Sequence, residues 1–189
     1  MKKEFIITTY SENHIGLTNR ITIILTRRQV NIESLTGSES ALPGIHKITI
    51  VINEEEEKVK NIVKQIDKLV DVLKAFYHTN EEMIYQEIAL YKVSTKSLME
   101  SDEIEKLIRS HNARILEITP EYTVIEKTGH KEETQELFQG LNKFGVLQFI
   151  RSGRIALTRS PIEKLSEFLK ERDDLLEKVE TRRKLRKAN

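Results

Sequence analysis

The chain has 189 residues, with 31 Lys plus Arg against 30 Asp plus Glu, 38% hydrophobic residues, no Cys and no Trp. A net charge of +1 removes the broad positive field of a non-specific nucleic-acid binder, and the absence of Cys excludes disulfides, thiolate nucleophiles, iron-sulfur clusters and Cys-ligated zinc. No apolar run approaches the roughly 20 residues a spanning helix needs, and the start MKKEFIITTYSEN turns polar too early for a signal peptide, so no membrane role is expected and the chain reads as cytoplasmic.

In chain order, EFIITTY (4–10) is a β-rich run, and residues 15–29 carry apolar residues at 17, 21, 24 and 25, a helical stripe. VNIESLT (30–36) and IHKITIVI (45–52) read as strands on either side of the turn dipeptide Pro43-Gly44. The acidic run 54–57 opens a second helix with Val59, Ile62, Val63 and Ile66 on one side, its charges suited to the macrodipole, and LVDVLKAFY (69–77) closes the unit. Strand, helix, strand, strand, helix, strand is the split βαβ order that sets both helices on one face of a four-stranded sheet. The helix-free face, lined by Ile and Val, is expected to pair with another copy.

The order then repeats. MIYQEIALYKVS (83–94) is a strand, Ser101 and Asp102 cap a helix bearing Ile104, Leu107, Ile108 and His111, and ARILEIT (113–119) is a strand ended by Pro120. EYTVIEKT (121–128), a helix with Leu137, Phe138, Leu141 and Phe144, and VLQFIRS (146–152), continued by RIALT (154–158), complete a second module. The expected architecture is α+β: a ferredoxin-like domain over 1–78, a second over 83–160, and an amphipathic helical tail over 161–189 that includes Leu165, Phe168, Leu169, Leu175, Leu176 and Val179 and ends in RRKLRK.

No catalytic constellation is visible. The histidines at 14, 46, 78, 111 and 130 show neither HExxH nor metal-ligand spacing with a carboxylate. Gly140 to Gly145 has half of a phosphate loop, but Val146 and Leu147 replace the required Lys and Ser or Thr, and Gly145 reads as a helix C-terminus. RNA binding on the open sheet would need aromatic residues that VNIESLT and IHKITIVI lack.

The informative stretch is Asn13-His14-Ile15-Gly16-Leu17 before the first helix, followed by Asn31-Ile32-Glu33-Ser34-Leu35-Thr36. A helix N-terminus leaves amide hydrogens unpaired and carries partial positive charge, and Gly16 lets a small carboxylate approach the backbone. Asn13 and Asn31 offer donors and acceptors to a zwitterion, with Ile15 and Ile32 as apolar lining. The alternative for the same residues is structural: Asn13 caps the helix, Asn31 satisfies a turn and Gly16 packs.

ENHIGLTNRI, NIESLT and QIDKLVDVL resemble the ACT-domain signature of the small, regulatory subunit of acetolactate synthase (acetohydroxyacid synthase), and RSG (151–153) resembles that family's close, so the resemblance runs in order over about residues 3–160. It implies a non-catalytic chain with no cofactor of its own. Such a chain binds valine or a related branched-chain amino acid between paired ACT domains of a homodimer, at Asn13, Ile15, Gly16, Leu17, Asn31 and Ile32. It activates a large catalytic subunit that carries thiamine diphosphate, magnesium and FAD, and confers end-product inhibition on it. A second implication is an ACT-type amino-acid sensor serving another enzyme or a transcriptional complex. Thr18 stands where the family usually has Leu, which is expected to make the helix's buried face more polar. Gln29 stands where a helix-ending Gly is usual, which is expected to strain a left-handed position.

Overall fold

The structure, a computed structural model, describes residues 1–100, 102–162 and 164–170. The first module runs β1 (Lys3–Glu12), α1 (Leu17–Thr26), β2 (Ser34–Glu39), β3 (Ile45–Glu54), α2 (Glu56–Ile66) and β4 (Val72–Thr79). Its antiparallel sheet has the order β2-β3-β1-β4, which is the ferredoxin-like split βαβ arrangement. After a short 3-10 turn the second module follows with β5 (Met83–Ser94), α3 (Thr95–Glu100), α4 (Asp102–Ser110), β6 (Arg114–Ile118), β7 (Tyr122–Gly129), α5 (Lys131–Asn142), β8 (Val146–Arg151) and β9 (Ile155–Thr158). The order β6-β7-β5-β8 repeats the first sheet position for position.

Alternation decides what each strand buries. In β1, Phe5 and Ile7 face the helices, where Leu17, Ile21 and Leu25 of α1 and Val59, Ile62 and Ile66 of α2 close a core with Ile50 and Ile52 of β3. The second core repeats the plan with Ala89, Tyr91 and Val93 of β5 under Ile104 and Ile108 of α4 and Leu137 and Leu141 of α5. Tyr91 is fully buried, stacks on Phe149 at 5.1 Å between ring centroids, and donates its hydroxyl to the carbonyl of Thr134 at 2.7 Å.

Several sequence expectations shift. Residues 30–33 are not strand: Val30 is buried and Ile32 packs against the core, and ladder pairing with β3 begins at Ser34 with Val51. Thr18 is exposed, so its polarity does not touch the buried face of α1. RIALT does not continue β8; β9 pairs instead with the first four residues of β5, Met83 to Gln86. That strand pair lies over the helix-free face of the first sheet, where Ile6 and Val51 meet Met83, Tyr85 and Ala156. The face expected to await a second copy is therefore partly covered by this chain's own second module. Residues 164–170 are helical with Leu165 buried; Ser101, Leu175, Leu176, Val179 and RRKLRK lie outside the described residues.

Three helix ends use left-handed residues. Gly145 follows α5 with φ 83°, Asn112 follows α4 with φ 51°, and Gln29 follows α1 with φ 53°. The Val30 amide donates to the Leu25 carbonyl at 3.1 Å, so α1 closes with the glycine-type hydrogen bond although Gln occupies the glycine position. Replacing Gln29 with Gly is expected to stabilise the chain by about 1 kcal/mol in urea denaturation, because the Cβ penalty disappears while that bond is kept.

Glu54, at the end of β3, is buried and accepts from Lys2 at 2.9 Å and Lys58 at 3.0 Å. Those hydrogen bonds outweigh burial and lower its carboxyl from 4.5 to about 2. Its stabilising contribution is complete above pH 4.5 and disappears as pH falls through about 2. Urea denaturation at a series of pH values is expected to show wild type more stable than Glu54→Gln near neutrality, the difference shrinking toward zero near pH 2.

Candidate functional site

Gly16 adopts φ 81° and ψ 0° at the N-cap of α1, and no side chain caps the helix. Asn13 therefore does not cap α1, which removes that structural role for it. The first turn of α1 contains no acidic residue, so the partial positive charge of the helix end is not neutralised from within the helix. Asn13, Ile15 and Gly16 are exposed, Ile15 fully so. A Cβ built on Gly16 meets nothing within 4 Å, so the residue is held to glycine by its backbone angle and leaves open space above the helix end.

The loop is fixed from an element that sequence reasoning valued only as a motif. Asp71, in the turn before β4, places Oδ1 2.9 Å from His14 Nδ1 and pairs through Oδ2 with Arg20 of α1. The Glu12 amide donates to the Asp71 carbonyl at 3.0 Å. His14 and then Arg20 hold the Asp71 carboxyl below its ordinary range. Asp71 is the acid of KLVDVL, so one resemblance segment braces another.

Leu17 differs in kind from its neighbours: its side chain is 3% exposed and belongs to the core, and its amide donates to the His14 carbonyl at 3.2 Å. Asn31 is exposed and Ile32 is half-buried against the core, just before β2. These two groups of residues are not together within one chain. They flank opposite ends of α1, whose ten residues span about 15 Å. Sheet register agrees, since Ser34 is level with Val51 and Ile6, near the start of β1, whereas Gly16 lies beyond its end.

A second junction joins NIESL to RSG. Ser34 Oγ accepts from the Arg154 amide at 3.0 Å, and Ser152 Oγ accepts from the Ile88 amide at 2.9 Å. A Cβ built on Gly153 would stand 2.0 Å from Thr36 Oγ1 and 3.1 Å from the Leu35 carbonyl, so only glycine lets this loop rest on β2. The Arg154 residue is 7% exposed; its guanidinium donates to Glu4 Oε1 at 2.8 Å and Asn80 Oδ1 at 3.3 Å and lies 3.9 Å from the centre of the Tyr85 ring. Burial pushes the Glu4 carboxyl up, but the hydrogen bonds from Arg154 and Asn80 outweigh it and hold it low. Arg154 carried no signal in the sequence except its place directly after RSG.

Two ferredoxin-like units in tandem, the first with an open glycine-bearing loop at a helix N-terminus, are the architecture of a tandem ACT-type protein. Residues 7–74 match the family described as AHAS small subunit-like ACT domain, and residues 86–160 match the family described as small subunit of acetolactate synthase. The acetolactate synthase small subunit of Bacillus subtilis is 33% identical over 85% of this chain and 94% of its own. A probable acetolactate synthase small subunit of Methanothermobacter thermautotrophicus is 31% identical over 82% and 92%. The crystal structure of the acetolactate synthase small subunit from Thermotoga maritima matches with a TM-score of 0.76 and 26% identity, covering 85% of this chain and 99% of that one. The chain belongs to the acetolactate synthase small-subunit family, a family of regulatory subunits.

Arg154→Met is expected to destabilise the folded chain by about 3 kcal/mol in urea denaturation, because the partly buried Glu4 carboxylate is left without its cation. Gly153→Ala is expected to lose about 1–3 kcal/mol through overpacking against β2 in the same assay.

Proposed function

We propose that this chain is the regulatory, non-catalytic subunit of an acetolactate synthase, which activates a catalytic large subunit and makes it subject to feedback inhibition by valine or another branched-chain amino acid. Thiamine diphosphate, magnesium and FAD are assigned to that partner, and the complex is placed in the cytoplasm. No helix among the described residues is long and apolar enough to cross a membrane, and the family relationship supports the regulatory assignment.

One observation carries the effector reading. The Asn13, Ile15 and Gly16 loop and the Asn31, Ile32 pair stand at opposite ends of α1. A two-fold axis beside the edge strand β2 would run two β2 strands antiparallel and two α1 helices antiparallel. The N-terminus of one α1 would then meet the residues after the other α1, giving two equivalent sites, each with a glycine loop from one copy and Asn31 from its partner. The uncapped helix end suits the carboxylate of an amino acid, and the two asparagines suit its ammonium group. Dimerisation and effector binding are in this reading one arrangement, so ligand and subunit association are thermodynamically linked.

Isothermal titration of valine, leucine and isoleucine is expected to give two sites per dimer, lost in Gly16→Asp and in Asn31→Ala. Gly16→Asn, which tolerates the left-handed angle without adding charge, is expected to bind at least about tenfold better than Gly16→Asp. Mixing the Gly16→Asp chain with the Asn31→Ala chain is expected to restore one site per heterodimer, since one interface copy then receives both native halves. Binding of valine to a monomer, or no recovery on mixing, would contradict the shared site.

A further inference from the structure

The loop that carries Gly16 is held by one carboxylate. The Asp71 side chain, 15% exposed in the turn before β4, reaches two different elements: Oδ1 stands 2.9 Å from His14 Nδ1 in the loop, and Oδ2 pairs with the guanidinium of Arg20 in α1. Gly16 lies between these two attachment points, with φ 81° and ψ 0°. The backbone adds to the brace, since the Leu17 amide donates to the His14 carbonyl at 3.2 Å and the Arg20 amide to the Gly16 carbonyl at 3.0 Å. A single side chain therefore fixes the angle at which the chain passes through Gly16 into α1, and with it the direction of the uncapped helix end.

The His14 ring is also in contact with a second acid. Its Nε2 stands 3.5 Å from Glu12 Oε2, so both ring nitrogens face carboxylate oxygens. An ionised carboxylate only accepts hydrogen bonds, and a neutral imidazole has a proton on one nitrogen alone, whereas the imidazolium has one on each and satisfies both neighbours. The arrangement is that of the charged ring. Among the described residues, the charged groups around it are Glu12 at the end of β1, Asp71 before β4, and Arg20 on α1, which meets Asp71 from the other side. With His14 charged, two carboxylates and two cations balance beside the helix end. When the ring loses its proton, one negative charge is in excess and a nitrogen lone pair faces a carboxylate. His14 and then Arg20 hold the Asp71 carboxyl low, so Asp71 stays ionised across the interval of about pH 5 to 8 in which an imidazole ordinarily changes its charge.

A carboxylate brought to the open end of α1 meets this network. The helix end attracts it through unpaired amides and partial positive charge, which a neighbouring cation reinforces and an excess negative charge opposes. We propose that His14 and Asp71 are positioning residues of the effector site: Asp71 sets the Gly16 loop through the charged His14 ring, and loss of the ring proton weakens effector binding. Neither side chain touches the ligand in this account; both act through the backbone of the loop and through charge. The inference rests on the effector reading above and adds to it a dependence on acidity. Its sign follows from the charge balance, with affinity highest on the acid side of neutrality and falling as pH rises. A free amino acid keeps its carboxylate and ammonium groups charged across that interval, so the change belongs to the protein.

Isothermal titration of valine into the full chain at about pH 6 and about pH 8 tests the inference. The Kd is expected to rise at least about threefold from the lower pH to the higher. His14→Gln keeps a hydrogen-bond donor for Asp71 but has no proton to lose; it is expected to bind at both pH values within about twofold of wild type at about pH 8. Glu12→Gln removes the excess negative charge and is expected to bind about twofold to threefold more tightly than wild type at about pH 8. Asp71→Asn is expected to weaken binding at least about threefold at about pH 6 and by less at about pH 8, which flattens the profile. A merely structural brace would weaken binding in Asp71→Asn equally at both pH values, and that result would overturn the inference. So would a wild-type Kd that agrees within about 1.5-fold at the two pH values, or a His14→Gln chain that retains the wild-type pH dependence. Absence of heat with valine, leucine and isoleucine at both pH values would instead overturn the effector reading, and this inference with it.

Discussion

The buried guanidinium of Arg154 is the constraint on which the arrangement of the two modules depends. It bonds to Glu4 in β1 and Asn80 in the link between modules, and it lies against Tyr85 in β5, while its own amide is held by Ser34 of β2. A charge this far from water is tolerable only with a partner carboxylate and further acceptors in good geometry, and all are present. Around it Ile6, Val51 and Met83 make a small third core that neither module has alone. Moving the second module away would expose that apolar surface and separate two paired charges, which makes the relative placement of the sheets a property of specific chemistry rather than of a linker.

That placement gives the proposed effector loop a route to the second module. β2 begins three residues after Asn31, and its first residue is the Ser34 that holds the loop after β8. A displacement of Asn31 around a ligand would act on Ser34 through a short, extended stretch of chain. Gly153 has no slack against Thr36 and Leu35, so β2 and the loop must move together. On the other side, Asp71 ties the glycine loop to the turn before β4. Coupling requires two states that the ligand distinguishes, and the proposed two-fold interface, closing on an amino acid, would supply them.

The element order was legible because the strands alternate and the longer helices repeat their apolar residues every third or fourth position, so βαββαβ could be read twice without knowing the contacts. What was not legible depended on partners distant in sequence. The strand expected at Val30 starts at Ser34, because Val30 and Ile32 satisfy a helical core while the ladder begins later. RIALT is a strand as expected, but its partner lies about seventy residues back, in the first four residues of β5. The short helix α3 had no apolar period to announce it. Thr18, whose polarity suggests a weaker core, faces solvent instead. At the candidate site, Gly16 was legible from the chemistry of a helix N-terminus, but Asp71 and Arg154 were not, since a lone acid and a lone arginine acquire meaning only from what the fold sets beside them. The separation of Asn31 from Gly16 by the length of α1 was likewise invisible until the helix had a position.

In the proposed function this chain regulates a catalytic partner through an effector site built at the ends of α1. Acetolactate formation from pyruvate by the cognate large subunit, measured with and without this chain across a valine titration, tests it most directly. The account predicts a rate increase on adding the chain, and suppression by valine that disappears when Gly16→Asp replaces wild type while the activation remains. An unchanged rate with the chain bound, or valine sensitivity that persists with Gly16→Asp, would contradict it.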